Sequence, residues 1–355
     1  MTAMDQSVGA GVYAGRVART LNNGFTGLMI SVGHRTGLFD VLAALPPSTS
    51  EQVARAAGLA ERYVREWLAA MTSALIIDHD PRTGTFFLPV EYAAVLTRGA
   101  GTNSLAPAAQ LLSLLAGVED LVVTGFQTGG GVMPEAYERL SELMADEKRQ
   151  SIDESYVDAI LDVIPGLRMH LDLGAKVLDA GCGDGALLDV MARMFPRSLF
   201  RGYDISHEAI RRACERAAEG ELRNVEFAVG DVASLDEMRA YDLVLAFDTM
   251  HEQSYPRIVL RRIAAALKRD GVFVMQEVNV SSHLSQAAEH PFAPMLFALS
   301  TMHSVPVALA QEGEALGRMW GRERAAKMLA EAGFRNVHFE TLGADAISYF
   351  AVASR

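Results

Sequence analysis

Basic residues are scarce in this chain, and so is cysteine. Against 44 Asp and Glu stand only 32 Lys and Arg in 355 residues, a formal net charge of −12 and an isoelectric point near 5.3. Phosphate-backbone binding needs a basic face, so this balance argues against a nucleic-acid partner. The two cysteines, Cys182 and Cys214, cannot build a disulfide scaffold and read as free thiols of a reducing compartment. No run of about 18 apolar residues suggests a membrane span. The segment Met1 to Arg19 carries Asp5, Arg16 and Arg19 and lacks the basic-then-apolar order of a signal segment. A cytoplasmic protein with no membrane partner is expected. His251, Glu277, His283, His290 and His303 match no metal-ligand spacing, so no metal is expected either.

What the chain does have is apolar surface. Half of its residues are hydrophobic, enough for a large core and, by length, about two domains. The most informative stretch is Lys176 to Gly185, Lys-Val-Leu-Asp-Ala-Gly-Cys-Gly-Asp-Gly. An apolar run ends in Asp179, glycines follow at 181, 183 and 185, and a helical pattern opens with Leu187, Leu188, Val190 and Met191. Strand, glycine turn and helix N-terminus make a floor on which a nucleotide can lie.

Gly181-x-Gly183-x-x-Ala186 satisfies a dinucleotide fingerprint, with Asp204 about 20 residues on, where a ribose-binding acid belongs. Three details favour S-adenosylmethionine instead. Asp179 would repel a pyrophosphate but could order an ammonium group. Gly185 tightens the pattern to Asp-x-Gly-x-Gly-x-Gly. A further strand, Val225–Val229, leads through Gly230 to Asp231. Acids at 179, 204 and 231 thus line the carboxyl ends of three strands, and this ladder resembles the class I S-adenosylmethionine-dependent methyltransferases. The resemblance implies a cofactor site of Asp179, Gly181, Cys182, Gly183, Gly185, Asp204, Ile205, Gly230, Asp231, Val232, Phe247 and Asp248. In it, Asp204 would take the ribose hydroxyls and Asp231 the adenine amine.

Upstream, residues 12–45 read as one apolar helix, broken by Pro46-Pro47. Thr49-Ser50-Glu51-Gln52 is a capping box that opens a helix to about Ala57. A second helix spans Glu61 to Leu75, and a hairpin turns at Asp80-Pro81-Arg82-Thr83-Gly84. Helix, turn, helix and hairpin describe a winged helix. The would-be recognition helix carries Glu61 and Glu66 beside Arg62 and Arg65, and residues 47–100 hold no lysine. DNA reading is therefore not expected. The order Gly37 to Leu42, helix-turn-helix and wing resembles the dimerisation module of small-molecule methyltransferases. The stretch from His290-Pro291-Phe292 to Trp320-Gly321 looks like a winged-helix group typified by a mycobacterial enzyme. These readings give a helical and winged-helix dimerisation domain at 1–104 and a helical linker or lid at 105–165, with a glycine run at 125–131. A catalytic domain at 166–355 follows, with an insertion at 279–319, and a homodimer is expected.

From 176 onward strands at 176–180, 199–204, 225–229, 241–247 and 271–278 alternate with helical pattern, and 337–342 and 347–352 follow as a hairpin. The fold class is α/β, a Rossmann-like seven-stranded methyltransferase sheet, mostly parallel with one terminal antiparallel strand. After strand 241–247 comes Asp248-Thr249-Met250-His251-Glu252. Strand carboxyl ends face the ligand crevice, which puts His251 near a transferable methyl. In plant-type O-methyltransferases a histidine shortly after this strand removes the acceptor proton. His251 matches that position, but Glu252 follows it and the rest of that motif is absent. Catalytic base, substrate orienter and structural residue all stay open for it. In the insertion, His303, Met302, Phe297 and Trp320 are candidate contacts for an apolar or aromatic small-molecule acceptor, although a plain buried helix face explains Met295, Leu296, Leu299 and Met302 equally. Two further functions compete with methyl transfer: cofactor binding without transfer, and a winged-helix regulator responsive to S-adenosylmethionine.

Overall fold

Two units divide the chain, residues 1–117 and 118–355. The computed structural model describes residues 10–343 and 345–355. Unit 1 is helical: α1 (Ala10–Thr36), α2 (Leu38–Ala44), α3 (Ser50–Ala57), α4 (Glu61–Ser73), strands β1 (Asp78–Asp80) and β2 (Thr85–Phe87), α5 (Val90–Leu96) and α6 (Gln110–Ala116). The single helix expected over 12–45 is in fact two. Gly37 takes φ +74° between α1 and α2, a left-handed turn that a Cβ disfavours, and the chain changes direction before Leu38, Phe39 and Leu42 enter the core.

The helix-turn-helix is locally specified. Thr49 Oγ1 accepts from the Gln52 amide and Gln52 Oε1 from the Thr49 amide, the reciprocal capping box. Gly58 ends α3 in the left-handed region. Val64, Trp67, Leu68 and Met71 of α4 share one buried face with Phe39, Val53 and Ile77, the i, i+3, i+4, i+7 spacing of an amphipathic helix. The Trp67 indole donates to the Met29 carbonyl at 2.8 Å. β1 and β2 pair antiparallel as the wing.

Unit 2 opens with α7 (Glu119–Thr128), α8 (Glu138–Ser151), α9 (Glu154–Asp162) and α10 (Leu167–Leu173). Gly125 stays inside α7, and the turn falls four residues later, at Gly129 with φ +75°. Then β3 (Lys176–Ala180), α11 (Ala186–Met194), β4 (Leu199–Asp204), α12 (His207–Glu219), β5 (Val225–Val229), β6 (Tyr241–Phe247), α13 (Pro256–Ala266) and β7 (Leu267–Val278) alternate. The insertion forms α14 (Leu284–Ala287), α15 (Ala293–Leu299), a π-helical turn at Ser300–Ser304 and α16 (Val305–Ala310). The chain closes with α17 (Arg322–Glu331), β8 (Arg335–Leu342) and β9 (Asp345–Ser354).

The sheet order is β5-β4-β3-β6-β7-β9-β8, parallel except for β9, which pairs antiparallel with both β7 and β8. Strands such as β3 and β6 are apolar on both faces because helices cover both. Leu178, Val244 and Phe273 face one core layer, and Val177, Leu245 and Val274 the other. The run Ala293–Ala310 is, against the expectation of no such stretch, long and apolar enough to cross a membrane, and 44% of it is buried inside the fold. Between β3 and β6 the strand order reverses direction, the place where open α/β sheets leave a crevice at their carboxyl ends.

Candidate functional site

The glycine loop after β3 is anchored from below by β4. Gly181 and Cys182 amides donate to the Tyr203 carbonyl at 2.8 and 3.0 Å. Asp204, at the end of β4, accepts from Gly183 N and Ser206 N, both at 2.8 Å. A Cβ on Gly181 would fall 2.2 Å from Thr249 Oγ1, whereas one on Gly183, at φ +54°, would meet nothing within 4 Å. Gly181 is thus required by packing, and Gly183 leaves open space above the loop. Cys182 lies under it, with its thiol pushed well up by burial, which makes it a filler and not a nucleophile.

Asp179 is 3% exposed, and its Oδ1 has no hydrogen-bond partner among the described residues. Burial raises this carboxyl to about 7, opposed by the charge of Lys148. Both residues line a cavity of about 70 Å³ together with Gly181, Gly183 and Phe247. Asp204 is also raised by burial. Ile205 is exposed and Val232 buried. Asp231 caps a short turn by accepting from the Ala233 amide at 2.8 Å. Asp248 stands at φ +54° after β6, a strained position of the kind found at binding sites. The predicted cofactor residues therefore do gather at the carboxyl ends of β3 to β6, while the small cavity itself reaches only those around the glycine loop and Phe247.

His251 follows in a short turn and is fully buried. Its Nδ1 lies 2.6 Å from Glu277 Oε2, and its backbone amide donates to Glu277 Oε1 at 3.1 Å. Glu277, near the end of β7, is likewise 0% exposed. Burial, the largest single influence, would lower the imidazole, but the carboxylates of Glu277 and Glu252 together outweigh it and hold the group up at about 9. Nε2 makes no hydrogen bond among the described residues and faces Glu252 Oε1 at 3.5 Å. That carboxylate oxygen also lies 3.5 Å from His303 Nδ1 and 3.4 Å from the guanidinium of Arg318. Opposing the desolvation that would raise it, the His251 imidazolium and the Arg318 guanidinium hold Glu252 well below the carboxylate range. Burial pushes the His303 imidazole below its ordinary value.

Not every candidate joins this cluster. Met302 holds its place through its carbonyl, which accepts from Tyr137 Oη at 2.7 Å, and the Tyr137 and His303 rings meet edge-on at 4.8 Å. Phe297 packs with Leu296 and Met319 in a small satellite cluster. Trp320 is 3% exposed among Leu316, Met328 and Leu329, a core position. His290 is spent locally, accepting from the Phe292 amide. Arg318 and Lys148 are the residues that site reasoning from the sequence missed, and Glu277 entered it only in a group set aside for its metal spacing, not as the partner of His251. A glutamate in the otherwise apolar end of β7 was a signal; Lys148, in a polar helix far upstream, offered none.

Comparison with known proteins fits this geometry. Residues 24–98 match the Rv2258c-like winged HTH domain, and residues 171–333 match a methyltransferase domain. The ubiquinone biosynthesis O-methyltransferase of Neisseria meningitidis serogroup A is 31% identical over 137 residues, 37% of this chain and 56% of that protein. This chain therefore spans about half the length of the curated relative it matches. The structure of an O-methyltransferase family protein from Burkholderia thailandensis superposes with TM-score 0.69 at 15% identity, over 98% of this chain and 99% of that one. Human N-acetylserotonin methyltransferase in complex with S-adenosylmethionine gives 0.65 at 19%, over 99% of each. At these identities the likeness is one of fold. The orphaned carboxylate oxygen of Asp179 and the open space above Gly183 suit a cationic nucleoside ligand such as S-adenosylmethionine. The chain thus matches an Rv2258c-like winged HTH domain over residues 24–98 and, after it, a methyltransferase domain over residues 171–333, with S-adenosylmethionine as the fitting cofactor.

Proposed function

We propose that this protein methylates a hydroxyl oxygen of a small-molecule acceptor, with His251 as the general base. The observation that carries this is the fully buried His251–Glu277 pair at the carboxyl end of β6, one turn beyond Phe247 and Asp248. When bound, S-adenosylmethionine would supply an already activated methyl group. What remains for the protein is alignment, exclusion of water and removal of one proton. Glu277 fixes the His251 ring and its tautomer by holding Nδ1, so Nε2 is the nitrogen free to take the acceptor proton. Glu252 balances the imidazolium that results, and Arg318 and His303 hold Glu252 in place.

Asp179, Gly183, Asp204, Asp231, Phe247 and Asp248 are proposed to hold the cofactor, with Asp204 on the ribose. Each Asp204 oxygen accepts one backbone amide and keeps a lone pair for a hydroxyl. Met302 and His303 are proposed to line the acceptor side. A homodimer is proposed through α1, whose Val12, Tyr13, Val17, Leu21 and Phe25 are all exposed at close to four-residue spacing. Such a stripe wants a partner surface. The arginines of α4 pair within their own helix, Arg62 with Glu66 and Arg65 with Glu61, which supports a structural winged helix and not a DNA reader.

The decisive experiment combines cofactor calorimetry with turnover on a panel of phenolic and alcoholic acceptors. His251→Ala should retain cofactor affinity and lose about 10²–10⁴-fold in turnover. Tight cofactor binding by the wild type with no methylation of any acceptor would instead favour a protein that binds the cofactor without transfer.

A further inference from the structure

One wall of the glycine-loop cavity belongs to α8, and the side chain it contributes is a cation. Lys148 Nζ donates to the Phe247 carbonyl at 3.0 Å and lies 3.3 Å from Asp248 Oδ2. It also stands over the Phe247 ring, 5.9 Å from its centroid. The buried Asp179, with its unpartnered Oδ1, faces the same cavity. A carbonyl and two carboxylates grouped in this way form a receptor for an ammonium group, and Lys148 fills it. The neighbouring Arg149, with Arg216 of α12, clamps Asp184, which pins α8 to the glycine loop.

Two features make this arrangement unsuited to a ligand as it stands. The cavity of about 70 Å³ is far below the roughly 300 Å³ at the low end of small-molecule sites. The proposed cofactor also carries an α-carboxylate beside its α-ammonium. Among the residues lining the cavity, Asp179 and Asp184 would repel that carboxylate, and Lys148 is the one basic side chain. The guanidinium of Arg149 is already committed to Asp184. A lysine has a long flexible stem and can exchange partners over several ångströms without moving its helix.

We propose that Lys148 is the carboxylate-binding residue of the cofactor site, held in the free protein on the ammonium receptor formed by Phe247 and Asp248. An amino-acid ligand displaces it there with its own ammonium and receives it on its carboxylate. One ion pair is exchanged for two, with no buried charge left alone at any stage. This inference rests on the cofactor proposed above and adds to it a residue and a mode of binding.

Calorimetry with two nucleosides separates the possibilities. S-adenosylhomocysteine carries the amino-acid group; 5′-methylthioadenosine has the same thioether nucleoside without it. Lys148→Ala should weaken S-adenosylhomocysteine by about 10- to 100-fold, the loss of one charge-assisted hydrogen bond. It should leave 5′-methylthioadenosine unchanged or tighter, because the lysine no longer obstructs the cavity. Lys148→Arg should keep most of the affinity for S-adenosylhomocysteine. Equal loss for both nucleosides, with a lowered melting temperature, would make Lys148 a structural residue and overturn the proposal, as would unchanged affinity for S-adenosylhomocysteine in Lys148→Ala. Failure of the wild type to bind either nucleoside would overturn the cofactor reading itself.

Discussion

His251 Nδ1 and Glu277 Oε2 lie 2.6 Å apart with neither side chain exposed to solvent. Burial by itself would lower this imidazole; Glu277, with Glu252 on the far side of the ring, raises it instead to about 9. The pair therefore sets both the acid–base behaviour of the site and part of the stability of the fold around it.

If His251 is the base, it must be neutral when the acceptor hydroxyl arrives. Turnover should therefore climb from pH 7 with its midpoint near 9 and level off only above that, not near the ordinary histidine value of about 6.5. In Glu277→Gln the opposing charge is gone and burial dominates, so the rising limb should move to lower pH by more than one unit while the maximum rate falls. A limb that stays in place in Glu277→Gln would show that another group titrates.

The same shift has a consequence for stability. The folded-state pKa of His251 lies above its unfolded value, so its contribution is complete below about 6.5 and is lost as pH rises through about 9. Thermal unfolding of the wild type should show a falling midpoint between pH 7 and 9.5, and His251→Phe should flatten that decline. A His251→Phe protein with the same slope would place the titration elsewhere.

Asp179 predicts a pH dependence of the opposite kind for the ligand. Burial holds its carboxyl at about 7 in the free protein, and a cationic ligand beside it favours the ionised form. Cofactor binding should release up to one proton and strengthen as pH rises from 6 to 8. Calorimetry in buffers of different ionisation enthalpy measures this release directly, and Asp179→Asn should abolish it. Proton release that persists in Asp179→Asn would assign it to a different acid.

Asp204 holds the loop amides and is proposed to hold the ribose, so its variants should separate the two roles. Asp204→Ala removes the acceptor for the Gly183 and Ser206 amides as well as the proposed ribose contact, and affinity should fall by about one to two orders of magnitude. Asp204→Asn keeps one acceptor oxygen and should lose less. Calorimetry finding both variants equal to wild type would remove the ribose assignment.

The exposed stripe of α1 can be tested without touching the core. Leu21→Glu with Phe25→Glu alters side chains 60% and 68% exposed, and should yield a folded monomer by sedimentation. Removing residues 1–45 would be a poorer test, because it strips Leu38, Phe39 and Leu42 from the core. A wild type that is itself monomeric would refute the dimer. Neither form should retain duplex DNA at physiological salt, and retention in a mobility-shift assay would revive the regulator reading.

Local rules made much of this protein legible in its sequence. The glycine loop, the acids at 179, 204 and 231, the capping box at Thr49 and the order of strands and helices all follow from periodicity, turn chemistry and composition, which act over a few residues. Where local rules compete, the sequence is less informative. Gly37 turns the chain inside an apolar run that reads as one helix, while Gly125 is absorbed into α7 and the turn waits for Gly129, because packing decides which glycine takes the left-handed conformation. Trp320 reads as a pocket residue from its neighbours in sequence, yet the fold buries it with Met328 and Leu329. Charge pairing was the least legible of all. Glu277 meets His251 from another strand, Arg318 and His303 meet Glu252 from the insertion, and Lys148 reaches Phe247 and Asp248 from a helix about a hundred residues upstream. Electrostatic partners are chosen by distance in space, and at such sequence separations only the assembled sheet and its covering helices set that distance.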